Sequence, residues 1–211
     1  MIEGIIFDMD GVIIQSEMMY QKRRALFFEE EGIPVDAEFN QRVIGSNPVD
    51  MFKMLFPESM EKQAIFLAKY RLFKQDFPMD YGSIMTEGVE DTLRELQTKG
   101  YRIALASSGE YQTLINILSE TELSDYFEVV VSGADMPKSK PAPDVYLEAV
   151  KQMGLQATEC LAVEDSAHGI QAAISAGLTC LALKPEEYEV DQTLATDIIF
   201  SLKDIPRWLS T

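Results

Sequence analysis

The chain has few of the residues that build most metal and redox sites. Its 211 residues include one histidine and two cysteines. Zinc and copper sites use clustered histidine and cysteine ligands, and nothing in this chain resembles such a set. The three residues concerned are Cys160, His168 and Cys180. Both cysteines lie in apolar segments, where we expect small core residues rather than a disulfide. We expect His168 to be a neutral core or helix-capping residue.

Basic residues are also scarce, since 18 Lys and Arg stand against 35 Asp and Glu, a net charge of −17. An acidic surface repels nucleic acid and anionic membranes, so we expect neither as a partner. No apolar run approaches the roughly 18 residues of a membrane span, and the first residues lack the order of a signal peptide. We expect a cytoplasmic protein that acts as a monomer.

The acidic residues are unevenly distributed. Residues 16–80 carry nine basic and eleven acidic side chains, whereas the rest of the chain carries nine and twenty-four. One interpretation is an ordinary difference between surface helices. The other is that the less acidic segment faces an anionic substrate, and composition does not decide between them.

An alternation of apolar strands and amphipathic helices predicts the fold class. A first buried strand ends at Phe7, and five more are predicted at 101–106, 127–131, 160–163, 179–183 and 198–200. Helical patterns lie between several of them, and Gly100, Gly154 and Gly177 mark helix ends. This order predicts an α/β fold, a Rossmann-like parallel sheet with helices on both faces.

Residues 16–80 interrupt the alternation. They show helical patterns only, with breaks at 32–34, 45–48 and Pro57. We therefore predict a core domain of residues 1–15 and 81–211, with an α-helical cap subdomain of residues 16–80 inserted after the first strand. An insertion at that point is well placed to act as a lid.

Two acids follow the first strand directly, at Asp8 and Asp10. Residues two apart in an extended segment point the same way, so both carboxylates are expected at the carboxyl end of the strand. A strand-ending turn is the alternative, since Asp and Gly11 favour turns. That alternative is weaker, because charges beside a sheet interior need partners.

Two further clusters suit phosphate. Ser107, Ser108 and Gly109 follow the strand at 101–106. They suit a helix N-cap and equally a phosphate cradle at a helix N-terminus, and the two roles are compatible. Lys140 precedes Pro141, which restricts the local backbone and the direction of the side chain. An ammonium held there would offset the charge between a phosphoryl group and an attacking carboxylate.

The fourth cluster is acidic. Glu164 and Asp165 end the strand at 160–163, and two adjacent acids at a strand end are unfavourable unless they bind a cation or a positively charged partner. Ligands that are oxygens only favour Mg²⁺ over zinc or copper.

In this order and spacing, the clusters resemble the four motifs of the haloacid dehalogenase superfamily. The resemblance covers essentially the whole chain. The helical insertion and the stretch 140–169 look like the subgroup of β-phosphoglucomutase and small sugar-phosphate phosphatases. The motif positions that carry the resemblance are Asp8-x-Asp10, Ser107, Lys140 and Glu164-Asp165.

The resemblance implies a role for each catalytic and phosphate-binding position. Asp8 would be the nucleophile that forms an aspartyl-phosphate, and Asp10 would protonate the leaving group and then activate water. Ser107, with Ser108 beside it, and Lys140 would bind the transferring phosphoryl group.

The resemblance also implies a Mg²⁺ site. Asp8, Asp165 and the backbone carbonyl of Asp10 would ligate the ion, with Glu164 assisting. The choice of Asp8 rather than Asp10 as nucleophile comes from the resemblance alone, since the residues themselves require only that the pair divide the catalytic roles.

The expected activity is a Mg²⁺-dependent phosphatase for a small phosphomonoester, a sugar phosphate. A β-phosphoglucomutase is the first alternative, but Tyr20 stands where those enzymes carry a cap histidine. Ile44 and Pro48 occupy the neighbourhood of their cap lysine and arginine. The second alternative is a non-catalytic sensor of a phosphorylated metabolite, which the chemically intact motifs disfavour.

Overall fold

The chain divides into two compact units. The computed structural model describes residues 1–44, 46–186 and 188–210. One unit, the core unit, comprises Met1–Gln15 and Tyr81–Thr211, and the other, the helical unit, comprises Ser16–Asp80. Gly45, part of the break expected at 45–48, lies outside the described residues.

Strands and helices alternate through the core unit. Its strands are β1 (Gly4–Phe7), β2 (Arg102–Ser107), β3 (Val129–Ser132), β4 (Cys160–Glu164), β5 (Thr179–Leu183) and β6 (Asp197–Ile199). The helices of the chain are α1 (Glu17–Glu30), α2 (Ala37–Arg42), α3 (Pro48–Leu55), α4 (Met60–Asp76), α5 (Val89–Thr98), α6 (Tyr111–Glu120), α7 (Asp144–Met153), α8 (Ala167–Ser175) and α9 (Ile205–Trp208).

The six strands form one parallel sheet in the order β3-β2-β1-β4-β5-β6. Helices cover both faces, and the predicted Rossmann-like α/β fold is confirmed. Because β1 lies between β2 and β4, the carboxyl ends of these three strands are neighbours, and the strand order changes direction there. This is the position at which open α/β sheets bind ligands.

The two faces of the sheet differ in side-chain size. Large side chains such as Ile5, Phe7 and Leu105 form one core with α5, α6 and α9. The other face carries Ile6 and many small residues, and it packs against α7 and α8. Small strand residues leave room for large helical ones, and Tyr146 of α7 is fully buried there.

Strand boundaries differ slightly from the sequence prediction. The third strand, predicted from residue 127, begins at Val129. Phe127 does not pair with a neighbouring strand. Its ring instead packs edge-to-face on Phe7, with ring centroids 6.4 Å apart. Apolar character therefore marked a core contact rather than strand pairing.

The described part of the helical unit contains helices α1 to α4 and no strand. Its core is aromatic, with Phe27 contacting the ring of Tyr70 at a centroid distance of 5.0 Å. Side chains cap three of its helices, namely Asp36, Asn47 and Ser59. No described helix is both long and apolar enough to span a bilayer.

Candidate active site

Three of the four predicted clusters lie directly at the carboxyl ends of neighbouring strands. Asp8 follows β1, Ser107 ends β2 and Glu164 ends β4. The Asp8 amide donates a hydrogen bond to the carbonyl of Val163 at 3.0 Å, which fixes the first acid beside the fourth cluster. Lys140, the remaining predicted cluster, is not at the end of a strand. It lies between β3 and α7 in the sequence, and its side chain extends to this edge of the sheet.

Lys140 connects the clusters. Its Nζ lies 2.7 Å from Asp8 Oδ1 and 2.6 Å from Glu164 Oε1. It also donates to the carbonyl of Ala106 at 3.1 Å. The Lys140 side chain is 4% exposed, and a buried ammonium is tolerated only with such partners. A cis peptide bond joins it to Pro141.

Glu164 is fully buried and accepts hydrogen bonds on both oxygens. Oε1 accepts from Lys140 and, at 2.7 Å, from the hydroxyl of Tyr146. Oε2 accepts from the Ser166 hydroxyl and from the backbone amide of Asp165, each at 3.2 Å. Protein donors therefore fix the orientation of this carboxylate.

Asp8, Glu164 and Asp165 form an acidic cluster. Each offers a carboxylate oxygen, and these atoms lie within 4.8 Å of one another. Three buried oxygen donors suit a hard divalent cation such as Mg²⁺, so the donor set fits the expected ion. The Asp10 carboxylate is not one of these three, although its charge adds to the rise in the pKa of both Asp8 and Asp165.

The acids repel one another. Burial raises the pKa of Asp8 to about 7, with Glu164 and Asp10 adding to the rise and Lys140 opposing it. Burial, then Glu164 and Asp8, raise the pKa of Asp165 well above its usual range. Burial alone would lower the pKa of Lys140, but the two carboxylates outweigh it and raise it. Three ionised carboxylates would therefore carry more negative charge than one ammonium balances.

The serine cluster forms a tight turn rather than a helix cap. Ser107 Oγ accepts a hydrogen bond from the Gly109 amide at 3.1 Å, and the residue at the N-cap of α6 is Glu110. The Ser132 hydroxyl donates to the Gly109 carbonyl at 2.7 Å and holds the turn from β3. Ser108 is half-buried. The expectation that a serine of this cluster caps the helix is therefore wrong.

His168 does not cap a helix. It lies half-buried in the first turn of α8, whose N-cap is Ser166, with the Ser166 Oγ accepting from the Gly169 amide at 3.1 Å. Cys160 and Cys180 are buried in β4 and β5, as the apolar patterns predicted.

Three polar residues at the site were missed by sequence reasoning. Tyr146 lies on the apolar stripe of α7, and periodicity gives no sign that its hydroxyl contacts Glu164. Tyr188 donates to Asp165 Oδ2 at 2.6 Å. Gln192 donates to the main-chain carbonyl of Asp165 at 2.8 Å. The last two belong to the connection between β5 and β6, which carries no motif.

Gly11 packs against the acidic cluster and offers a test of that packing. Its φ is +81°, and a Cβ there would lie 2.0 Å from Asp165 Oδ2. Gly100 has a φ of +85°, and a Cβ there would meet nothing within 4 Å. Gly100→Ala is expected to lower the free energy of unfolding by about 1 kcal/mol through left-handed strain. Gly11→Ala is expected to lower the free energy of unfolding by about 2–3 kcal/mol, because the Asp165 carboxylate must also move and lose its hydrogen bond from Tyr188.

Urea unfolding of both variants measures the difference. Equal losses of unfolding free energy would show that the Asp165 carboxylate can move aside without cost. Gly11 would then be required only for its backbone conformation.

Comparison with known proteins identifies the family. Residues 5–183 match the model of the haloacid dehalogenase-like hydrolases. YhcW of Bacillus subtilis is 31% identical over 185 residues, which cover 86% of this chain and 83% of that protein. A protein of Thermotoga maritima named phosphorylated carbohydrates phosphatase is 29% identical, with 83% of this chain and 82% of that protein covered.

A solved structure shows the same fold. The β-phosphoglucomutase of Clostridium difficile superposes with a TM-score of 0.85 over 100% of this chain and 96% of that one, at 21% identity. The matches confirm the predicted family and enzyme class, a phosphatase of the haloacid dehalogenase type. The chain belongs to the haloacid dehalogenase-like hydrolase family.

Proposed function

We propose that the protein is a Mg²⁺-dependent phosphatase that hydrolyses a small sugar phosphate through an aspartyl-phosphate on Asp8. The observation that carries the proposal is the buried Lys140 ammonium, 2.7 Å from Asp8 and 2.6 Å from Glu164. An attacking carboxylate and a phosphoryl group are both anionic, so the reaction needs positive charge at this place.

Asp8 and Asp165, together with the backbone carbonyl of Asp10, are the residues that would hold Mg²⁺, with Glu164 assisting. When bound, the ion neutralises charge on the phosphoryl oxygens. Glu164 already accepts hydrogen bonds from Lys140, Tyr146 and its own turn. Its larger contribution in this proposal is therefore to hold Lys140 against Asp8.

The reaction has two steps. An Asp8 carboxylate oxygen attacks phosphorus, the ester P–O bond breaks, and Asp10 donates its proton to the departing sugar oxygen. Asp10 then takes a proton from the water that attacks phosphorus, and the bond between Asp8 and phosphorus breaks to release phosphate. Lys140 and the turn of Ser107 and Ser108 hold the phosphoryl oxygens throughout.

The substrate class rests on two supports. The Thermotoga maritima relative, 29% identical, is named for phosphorylated carbohydrates. Residues 16–80, proposed as a cap subdomain, carry much less net negative charge than the rest of the chain. A cap that limits access favours small metabolites over phosphoproteins.

A phosphate-release assay tests the proposal. Sugar phosphates, nucleotides and small phosphomonoesters are incubated with the protein in Mg²⁺ and in chelator, and glucose 6-phosphate formation from β-glucose 1-phosphate is followed in parallel. We expect phosphate release from sugar phosphates that chelator abolishes. Isomerisation without release would establish a mutase instead, and binding without turnover of any substrate would establish a sensor.

A further inference from the structure

The connection between β5 and β6 reaches back to Asp165. The hydroxyl of Tyr188 lies 2.6 Å from Asp165 Oδ2. Four residues later, the buried Gln192 side chain donates to the main-chain carbonyls of Asp165 and Leu183, each at 2.8 Å. The connection is thus attached to the side chain and the backbone of the same acid.

The Asp165 carboxylate is confined on a second side as well. A Cβ built on Gly11 would lie only 2.0 Å from Asp165 Oδ2, so the Gly11 backbone packs directly against this carboxylate. Tyr188 and the Gly11 backbone thus hold the Asp165 carboxylate from two sides and leave it little room to rotate. Glu164 differs, because its donors come from its own turn, from Lys140 and from Tyr146.

We infer that Tyr188 is a positioning residue for the metal site, holding the Asp165 carboxylate in the orientation that binds Mg²⁺. This inference rests on the proposed Mg²⁺-dependent function. A hydroxyl that donates to one oxygen of a carboxylate fixes the rotation of that carboxylate, and hence the directions in which its remaining lone pairs point. Groups that orient metal ligands in this way typically change metal affinity 10- to 100-fold when they are removed.

Tyr188→Phe removes the hydroxyl and keeps the ring. We expect about tenfold weaker Mg²⁺ binding when MgCl₂ is titrated into the metal-free protein by calorimetry. The half-saturating Mg²⁺ concentration for phosphate release should rise by the same factor, while turnover at saturating Mg²⁺ stays unchanged. Tyr101→Phe is the matched control, since Tyr101 is also half-buried but lies at the amino end of β2, and it should bind as the wild type does.

The outcomes separate this inference from the function on which it rests. Mg²⁺ binding by wild type that Tyr188→Phe leaves unchanged would overturn the role of Tyr188 alone. Wild-type protein that binds no Mg²⁺ would overturn the proposed metal site and this inference together. A variant that loses turnover at every Mg²⁺ concentration would also contradict it, because positioning of a metal ligand is restored by more metal.

Discussion

Asp8→Asn is expected to reduce phosphate release by at least about 10³-fold, because the amide oxygen cannot form the aspartyl-phosphate. The same substitution at Asp125, an exposed acid in the short 3₁₀ helix Ser124–Tyr126, should leave the rate unchanged. Phosphate release with a sugar phosphate in saturating Mg²⁺ measures both variants against wild type.

The loss should not come from unfolding. Burial raises the pKa of Asp8 to about 7, so the metal-free fold disfavours the ionised carboxylate. Asparagine has the same shape and no charge, and its amide oxygen still accepts from Lys140. We therefore expect the urea unfolding midpoint of Asp8→Asn in chelator to be no lower than that of wild type.

Retention of more than about a tenth of the rate would contradict Asp8 as the nucleophile. A direct measurement supports the rate data. After rapid acid quench of wild type, peptide mass spectrometry should place a phosphoryl group on Asp8. Asp10→Asn should slow both formation and hydrolysis of this intermediate, since it removes the group that protonates the leaving oxygen and then activates water.

The sheet and the strand ends could be predicted because they follow from local patterns. The residues of β1 are all buried, and both faces of a parallel strand need apolar side chains, so the strand appears as a continuous apolar run. Acids placed directly after such a run, at Asp8 and Glu164, indicate the ligand-binding edge of the sheet. Their meeting follows from parallel strand order rather than from any contact visible in the sequence.

The support around the acids could not be predicted. Lys140 and Asp8 are 132 positions apart, and nothing in the local sequence states which carboxylate receives the ammonium. Tyr146 fits the apolar face of a helix and Tyr188 fits a loop, and neither pattern would change if the residue were a phenylalanine. Side-chain hydrogen bonds across a fold depend on packing geometry, whereas single-sequence patterns report only periodicity and burial.

Lys140→Met is the substitution expected to change both activity and stability. It removes the ammonium and keeps a side chain of similar length. Turnover should fall about 10²–10³-fold, as when one group that stabilises transition-state charge is removed. The free energy of unfolding in chelator should fall by about 3–5 kcal/mol, because Asp8 and Glu164 remain buried without their shared cation.

The stability loss should grow with pH. Lys140 lowers the pKa of Asp8 against the effect of burial, so the pKa rises further above about 7 when the ammonium is absent. The folded variant then binds more protons than the unfolded chain, in which Asp8 titrates near its ordinary value. Stability decreases with pH wherever the native state binds more protons, and the deficit should be larger at pH 8 than at pH 5.

Lys151→Met is the matched control, since Lys151 Nζ lies 3.0 Å from Glu148 but its side chain is 77% exposed. Surface pairs contribute at most about 1 kcal/mol, so this variant should keep both turnover and stability. Lys140→Met that loses stability but retains turnover would limit Lys140 to a structural role and contradict the proposed charge balance. Loss of both in Lys140→Met alone would mean that one buried ammonium holds the acids together in the resting enzyme and offsets their charge during phosphoryl transfer.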